Sequence, residues 1–298
     1  MIPLETVKQY AGQLKLGLLA TLFCAHAHGQ TLASDSQREL LLSTLWIQSA
    51  PEYKLSTTQT LLQAQRYLRT AVRQAGTAAM EQTRPRSYRH LPPAVIVDID
   101  ETMLDNSDYQ GYLLRSAAPW TVASWEDWVS LGQARAVPGA VEFANAVVKA
   151  GVAIFYVSNR ECLRPGHCPG KLATMENMKK LGFPHADKST VFMFRKEKPD
   201  WYGDKVSRRA AIAARYRIVM LVGDDMQDFM AASDLRRYRD HDAGIAAVVN
   251  KNLGRRWFIL PNPMYGSWEQ ALPDTVEQKY RVLRAAELQP RAVGGAPD

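Results

Sequence analysis

The sequence predicts an α/β fold, a parallel sheet with helices on both faces, and three observations carry that prediction. Short, wholly apolar runs recur through residues 94–222, as strands covered on both faces require. The segments between them space their apolar residues at helical intervals, so strand and helix alternate. Several of the apolar runs also end abruptly in polar or acidic clusters, where a parallel sheet gathers its functional groups.

In chain order, Lys8 and Lys15 precede the apolar stretch "LGLLATLFCA" (16–25), and Ala25-His26-Ala27 places small residues at the positions a signal peptidase reads. Residues 1–27 are therefore expected to be a secretory signal peptide, since ten apolar residues are too few to span a bilayer. Cys24 offers the alternative of a lipidated anchor. Residues 28–90 form a helical preface expected to contribute to a cap. Leu40, Leu41, Leu45 and Ile47 mark one helix; Leu61, Leu62, Ala64, Tyr67, Leu68 and Val72 mark another, with "SAPEYKLST" breaking between them. A polar, proline-bearing connector follows.

The core is expected over residues 91–298. "AVIV" (94–97), "VAIFYVS" (152–158), "TVFMF" (190–194), "IVMLV" (218–222) and "GIAAVV" (244–249) are predicted strands. Helices are predicted over "PGAVEFANAVVKAG" (138–151), with Pro near its start and Gly at its end, over 171–183 and over 205–217. Residues 106–137 interrupt the alternation with Tyr109, Tyr112, Trp120, Trp125 and Trp128, and Ser124-x-x-Asp127 reads as a capping box. An insertion after the first strand sits over the ligand-binding edge, so it is expected to be a small helical cap.

Composition narrows the function. The hydrophobic fraction of 46% and the charged fraction of 22% are those of a globular protein. The net charge of +7 is spread along the chain with no Lys/Arg run interleaved with aromatics, which favours anionic small molecules over a nucleic-acid polymer. Cys162 and Cys168 are expected to pair if the chain is exported, a small loop contributing about 2 kcal/mol. His167 between them raises a metal alternative, but one Cys pair lacks a four-ligand zinc pattern.

Three strand ends carry the chemistry: Asp98-Ile99-Asp100-Glu101-Thr102, Ser158-Asn159-Arg160, and Gly223-Asp224-Asp225-x-x-Asp228, with Lys205 opening a helix before the last. Carboxylates that converge on one sheet edge cannot all stay charged and unpaired, and a hard divalent cation such as Mg²⁺ resolves the conflict. A hydroxyl at Ser158 and an ammonium at Lys205 make a cradle for a phosphoryl group. A strand-end Asp can then act as nucleophile, and the Asp two residues on, with its pKa expected to be raised by its neighbours, can act as general acid. Taken singly, each element has a bland reading, as a capped turn or a surface charge; the ordered set does not.

These residues resemble the haloacid dehalogenase-like phosphatases, and more narrowly the class C bacterial acid phosphatases with their surface-lipoprotein 5′-nucleotidases. "IVDIDETMLDNSDY" (96–109) and "VMLVGDDMQDF" (219–229) carry the resemblance, supported by "FYVSNR", "KVSRR", "VPGAVEF", "LPNPMYGSWE" and "LWIQSAPEYKLSTTQ". The resemblance implies a Rossmann-like core and an Mg²⁺-dependent acid phosphatase acting through an aspartyl-phosphate. Asp98 would be nucleophile and metal ligand. Asp100 would be general acid/base and lend its backbone carbonyl to the metal, and Asp224 would be the third ligand. Asp228, or less surely Asp225, would lie just outside that set. Ser158 and Lys205 would hold the phosphoryl group, with Thr102 and Asn159 supporting the loop. Trp125 and Tyr265 stand where relatives sandwich a nucleobase, which makes nucleoside monophosphates the expected substrates. A nucleotide- or haem-binding surface protein on the same fold, and a phosphotransferase, are the alternatives. The expected location is the periplasm or outside the cell, with an outer-membrane lipoprotein through Cys24 as the alternative; a homodimer is left open.

Overall fold

The computed structural model of the protein describes residues 35–286. The segment expected to be a signal peptide, 1–27, and Cys24 within it lie outside the described residues. Two helices open the described chain, α1 (Asp35–Ser49) and α2 (Pro51–Arg73), followed by a short turn of helix, α3 (Pro85–Tyr88). Only Ala50 separates the first two, so "SAPEYKLST" is almost entirely helical and not a break. The reason is local: Pro51 fits the first helical position, where no N–H is needed, and Glu52 suits the positive helix start.

The central sheet is parallel with five strands: β1 (Pro93–Val97), β4 (Ala153–Glu161), β5 (Phe192–Arg195), β6 (Arg217–Gly223) and β7 (Trp257–Ile259), in the order β5-β4-β1-β6-β7. Alternate residues face opposite layers. Val95, Val97, Ile154 and Tyr156 pack into one core with Leu61, Ala64, Leu68 and Ala71 of α2 and with Phe143 and Val147 of α6 (Ala140–Lys149). Ala94, Ile96, Phe155 and Val157 pack into the other, against Ile212 of α8 (Val206–Ala213). That second core also holds Leu235 of α9 (Ala232–Arg239) and Ile245 and Val249 of α10 (Ala243–Asn252). This two-sided burial is why the strands read as unbroken apolar runs.

The segment 244–249, predicted as a strand, is instead the body of α10. Asp242 caps it by accepting from the N–H groups of Gly244 and Ile245, and Ile245 and Val249 lie one turn apart on the buried side. The fifth strand is β7, three residues long and too short to show a period.

Between β1 and α6 the insertion forms α4 (Ser107–Ser116) and α5 (Val122–Leu131), based on a two-stranded antiparallel ribbon of β2 (Leu104–Asp105) and β3 (Arg135–Ala136). Its second helix begins one turn earlier than predicted. Thr121 is the cap and Ser124 the third helical residue, because the Thr121 hydroxyl accepts from the Ser124 N–H. The preface divides: α1 packs on α4, whereas α2 lies against α6, β6 and β7. After β4 comes α7 (Pro169–Lys180), and α11 (Val276–Val282) closes the described chain. Cys162 and Cys168 form a disulfide that joins the end of β4 to the start of α7. No described helix is long and apolar enough to cross a membrane.

Candidate active site

All five strands run the same way, so the ends of β1, β4 and β6 meet on one edge, and a cavity of about 670 Å³ opens there. Asp98, Asp100, Asn159, Arg160, Lys205, Asp224, Asp225 and Asp228 line its floor; Trp125 and Tyr265 line its upper wall. Strand ends thus bring together the motifs that the sequence scatters over 130 residues.

Asp98 continues β1, its N–H donating to the Val222 carbonyl. Carboxylate oxygens of Asp98, Asp224 and Asp228 lie within 4.8 Å of one another. One ammonium answers them: Lys205 Nζ touches Asp98 and donates to Asp228 Oδ1 at 2.6 Å. Three carboxylates against one ammonium in contact leave excess negative charge, which buried Arg208 offsets only from a distance. Burial pushes the Asp98 carboxyl well above its usual range; Lys205 pulls it down, and Asp228, Asp224 and Asp100 push it further up. Asp224 is pushed up to about 7 by burial and the Asp228 charge, despite hydrogen bonds from Asn262 and Thr102. Burial lowers the Lys205 ammonium, but Asp228 and Asp98 more than offset it, so it stays charged. An all-oxygen set with surplus charge fits a hard divalent cation.

Asp228 thus joins Asp98 and Asp224 in the cluster, closer than the sequence reading had it. Gly223 permits this, because a Cβ there would collide with the Asp228 carboxylate. Asp225 is spent elsewhere: its carboxylate accepts from the N–H groups of Gln227 (2.8 Å) and Ser267, tying the turn after β6 to the loop that carries Tyr265.

Asp100 faces a different set of groups. Its carboxylate accepts from Ser158 Oγ at 3.0 Å, Arg160 Nε at 3.0 Å and Asn106 Nδ2 at 3.0 Å. Arg160, almost fully buried, also donates to Thr174 Oγ1 at 2.7 Å and lies 5.5 Å from the centre of the Trp125 ring. Ser158 is fully buried, so its hydroxyl serves Asp100 and accepts from the Arg160 N–H, while Asn159 faces the cavity. Thr102 is likewise buried and donates to Asp224 Oδ1 at 2.9 Å.

The turn linking the two aspartates is held by Glu101, to which the sequence reading gave no chemistry. Its backbone is left-handed (φ 54°), and its buried carboxylate accepts from the Asn106 N–H at 2.8 Å. Burial, then the charges of Asp100 and Asp224, raise its pKa well above the usual range. Asn106 in turn accepts from Trp128 Nε1 at 2.9 Å, which fixes Trp128 as a core residue. Arg160, Asn106 and Asn262 are the site residues that the sequence reading did not assign. Arg160 could have been found from strand alternation, since it shares a face with Ser158. Asn262 follows the strand that went unrecognised.

Comparison with known proteins gives this geometry a family. The family model described as HAD superfamily, subfamily IIIB (acid phosphatase), matches residues 26–268. Two solved structures of the class C acid phosphatase from Bacillus anthracis, one with tungstate bound, are 27% identical. Each match covers 85% of this chain and 99% of that one, with TM-scores of 0.66 and 0.67. The Stem 31 kDa glycoprotein of Glycine max is 27% identical over 172 residues, 57% of this chain, and the match spans 58% of that relative's length.

Proposed function

The chain belongs to the acid phosphatases of HAD subfamily IIIB, and from that premise we propose that it is an exported, Mg²⁺-dependent phosphomonoesterase acting on small molecules, 5′-nucleotides among them. The observation that carries the reading is the pairing of two aspartates on one strand end with separate partners: Asp98 with Lys205 in a carboxylate cluster, Asp100 with Ser158 and Arg160. That division matches a nucleophile and a proton donor.

In this reading Asp98 attacks phosphorus while Asp100 delivers a proton to the departing alkoxide oxygen. Asp100 then takes a proton from water as it attacks the aspartyl-phosphate, releasing inorganic phosphate and free Asp98. Lys205 keeps Asp98 placed and opposes charge on the phosphoryl oxygens. Asp98, Asp224 and Asp228 would hold the divalent ion, with the Asp100 carbonyl as a further donor, and when bound it would neutralise phosphoryl charge. Tungstate in the Bacillus anthracis relative supports the assignment, because it is an oxyanion shaped like phosphate.

Nucleotide preference rests on Trp125 and Tyr265. Both line the cavity, and Trp125 is held edge-on by Tyr109 at 5.1 Å between ring centres. An indole face stacks on any base with little discrimination.

Two measurements test the reading. Asp98→Asn should reduce turnover of a chromogenic phosphate ester by about 10⁴-fold or more in saturating Mg²⁺, and near-normal turnover would overturn the mechanism. On a panel of 5′- and 3′-nucleotides and sugar phosphates, Trp125→Ala should raise KM for nucleotides selectively, by the roughly 1–3 kcal/mol typical of a base–aromatic stack. An equal loss on sugar phosphates would remove the nucleotide assignment.

A further inference from the structure

A second cavity, of about 530 Å³, opens at the opposite edge of the sheet and shares no lining residue with the first. It is bounded by the segment 74–82 after α2 and by the turn between α10 and β7, where Arg256 immediately precedes the first residue of β7. Its charge is one-sided. Lys251, Arg255 and Arg256 line it together with Tyr67, Tyr88 and Thr77, and no carboxylate among the described residues does.

Arg256 is the informative residue. Arg256 is buried, at 7% relative exposure, yet it forms no ion pair with a carboxylate among the described residues. Buried charges are ordinarily paired, because removing an ion from water without a partner is expensive. Its hydrogen bonds are long: Nη1 donates to the Val219 carbonyl at 3.2 Å and Nη2 to Gln74 Oε1 at 3.3 Å. A guanidinium has five N–H donors, so most of the fork is uncommitted. A second buried arginine, Arg217, adds to the cationic character, its own donors going to the carbonyls of Val72, Gln74 and Gly76. Burial and the Arg217 charge both push the Arg256 guanidinium below its usual range. Gly76 makes the arrangement possible, because a Cβ there would press on the guanidinium at 3.1 Å.

We propose that this cavity is a binding site for a phosphate-bearing small molecule, held by the fork of Arg256 and the charges of Lys251 and Arg255 beside the rings of Tyr67 and Tyr88. A planar fork matches phosphate oxygens in pairs, and Lys251 and Arg255 are exposed, with no ion pair to an acid among the described residues. The volume lies within the range of small-ligand pockets and admits more than a lone phosphate ion. The Asp98 site gathers acids that need a cation before a phosphate can sit beside them, whereas this one gathers cations and, among the described residues, no lining acid, so it can hold a phosphate without a metal.

The test is calorimetric titration of pyrophosphate and, separately, of ADP into the full-length Asp98→Asn protein, which is spared turnover, and into the same protein carrying Lys251→Glu and Arg255→Glu. Both reversed residues are exposed, so the variant should melt at the same temperature. One binding equivalent should weaken at least ten-fold on charge reversal, and in an otherwise wild-type chain the reversal should leave turnover of a chromogenic ester unchanged. Pyrophosphate and ADP both giving that equivalent assigns recognition to the phosphates; ADP alone giving it adds a contribution from the tyrosine-lined half. If neither probe shows an equivalent sensitive to the reversal, the site does not exist.

Discussion

Asp98 and Asp100 sit two residues apart at the end of one strand, yet their surroundings are opposite in kind. Around Asp98 the protein gathers negative charge, with Asp224 and Asp228 close and, among the described residues, Lys205 the one counter-charge in contact. Around Asp100 it gathers donors: a hydroxyl, a guanidinium and an amide. The first arrangement is incomplete without a cation, and the second is complete in protein alone. The difference lies in which element supplies the neighbours: β6 and α8 for Asp98, β4 and the cap insertion for Asp100.

The largest expected consequence of the crowding is a pH-dependent stability that a metal removes. Folded Asp224 titrates at about 7 against an ordinary 3.8, so between those values the native state holds protons that the unfolded chain has released. Stability of the metal-free protein is then full below the lower value and falls as pH rises through the upper one. Asp98 and Glu101, both raised by burial, act in the same direction. Melting temperatures taken from pH 5 to 8 in chelator should fall with pH, and the increase on adding Mg²⁺ should grow over the same interval. A chelated protein that gains stability towards pH 8 would break the contrast between the two aspartates.

On the Asp100 side the sharper probe is Arg160→Lys. Lysine keeps the charge but cannot reach Asp100, Thr174 and Asn106 at once, as Arg160 does. We expect kcat to fall roughly 10–100-fold, the usual loss when a partner of a catalytic group is removed, with the Mg²⁺ concentration for half-activation unchanged. A matching loss of metal affinity would show that the two neighbourhoods are one.

What was legible in the sequence follows the same division. Asp98, Asp224 and Lys205 announce themselves because each ends an apolar run or opens a helix, and Asp228 follows in the same acidic cluster; charge at such a place is conspicuous. The support of Asp100 is not conspicuous. Arg160 reads as one more basic residue until the strand register puts it on the face of Ser158, and Glu101 reads as surplus acid until its left-handed backbone turns it onto Asn106. The two misplaced elements have equally local causes. A helix of small and β-branched residues over 244–249 imitates a strand, and the real edge strand spans only Trp257–Ile259. The cationic cavity left no linear pattern, because residues 67–88 and 251–256 meet only in the fold.

The smallest effect expected is that of the disulfide, and it separates the two neighbourhoods most cleanly. Cys162 is fully buried at the end of β4, where its N–H donates to the Arg195 carbonyl; Cys168 precedes the first turn of α7. Thr174, two turns further along α7, receives Arg160. The bridge therefore holds the wall against which Arg160 leans, and it touches none of the elements that build the carboxylate cluster. Its loop is short, so Cys162→Ala with Cys168→Ala should lower stability by about 2 kcal/mol or less, measured by urea unfolding. Turnover should fall by less than in Arg160→Lys, because the guanidinium keeps its bonds to Asp100 and loses only the rigidity of their backing. Metal affinity should stay where it was, since Asp98, Asp224 and Asp228 depend on β1, β6 and the turn after it. A double variant that binds Mg²⁺ more weakly would mean that strain passes from β4 through β1 to Asp98, and the independence of the two aspartates would have to be abandoned.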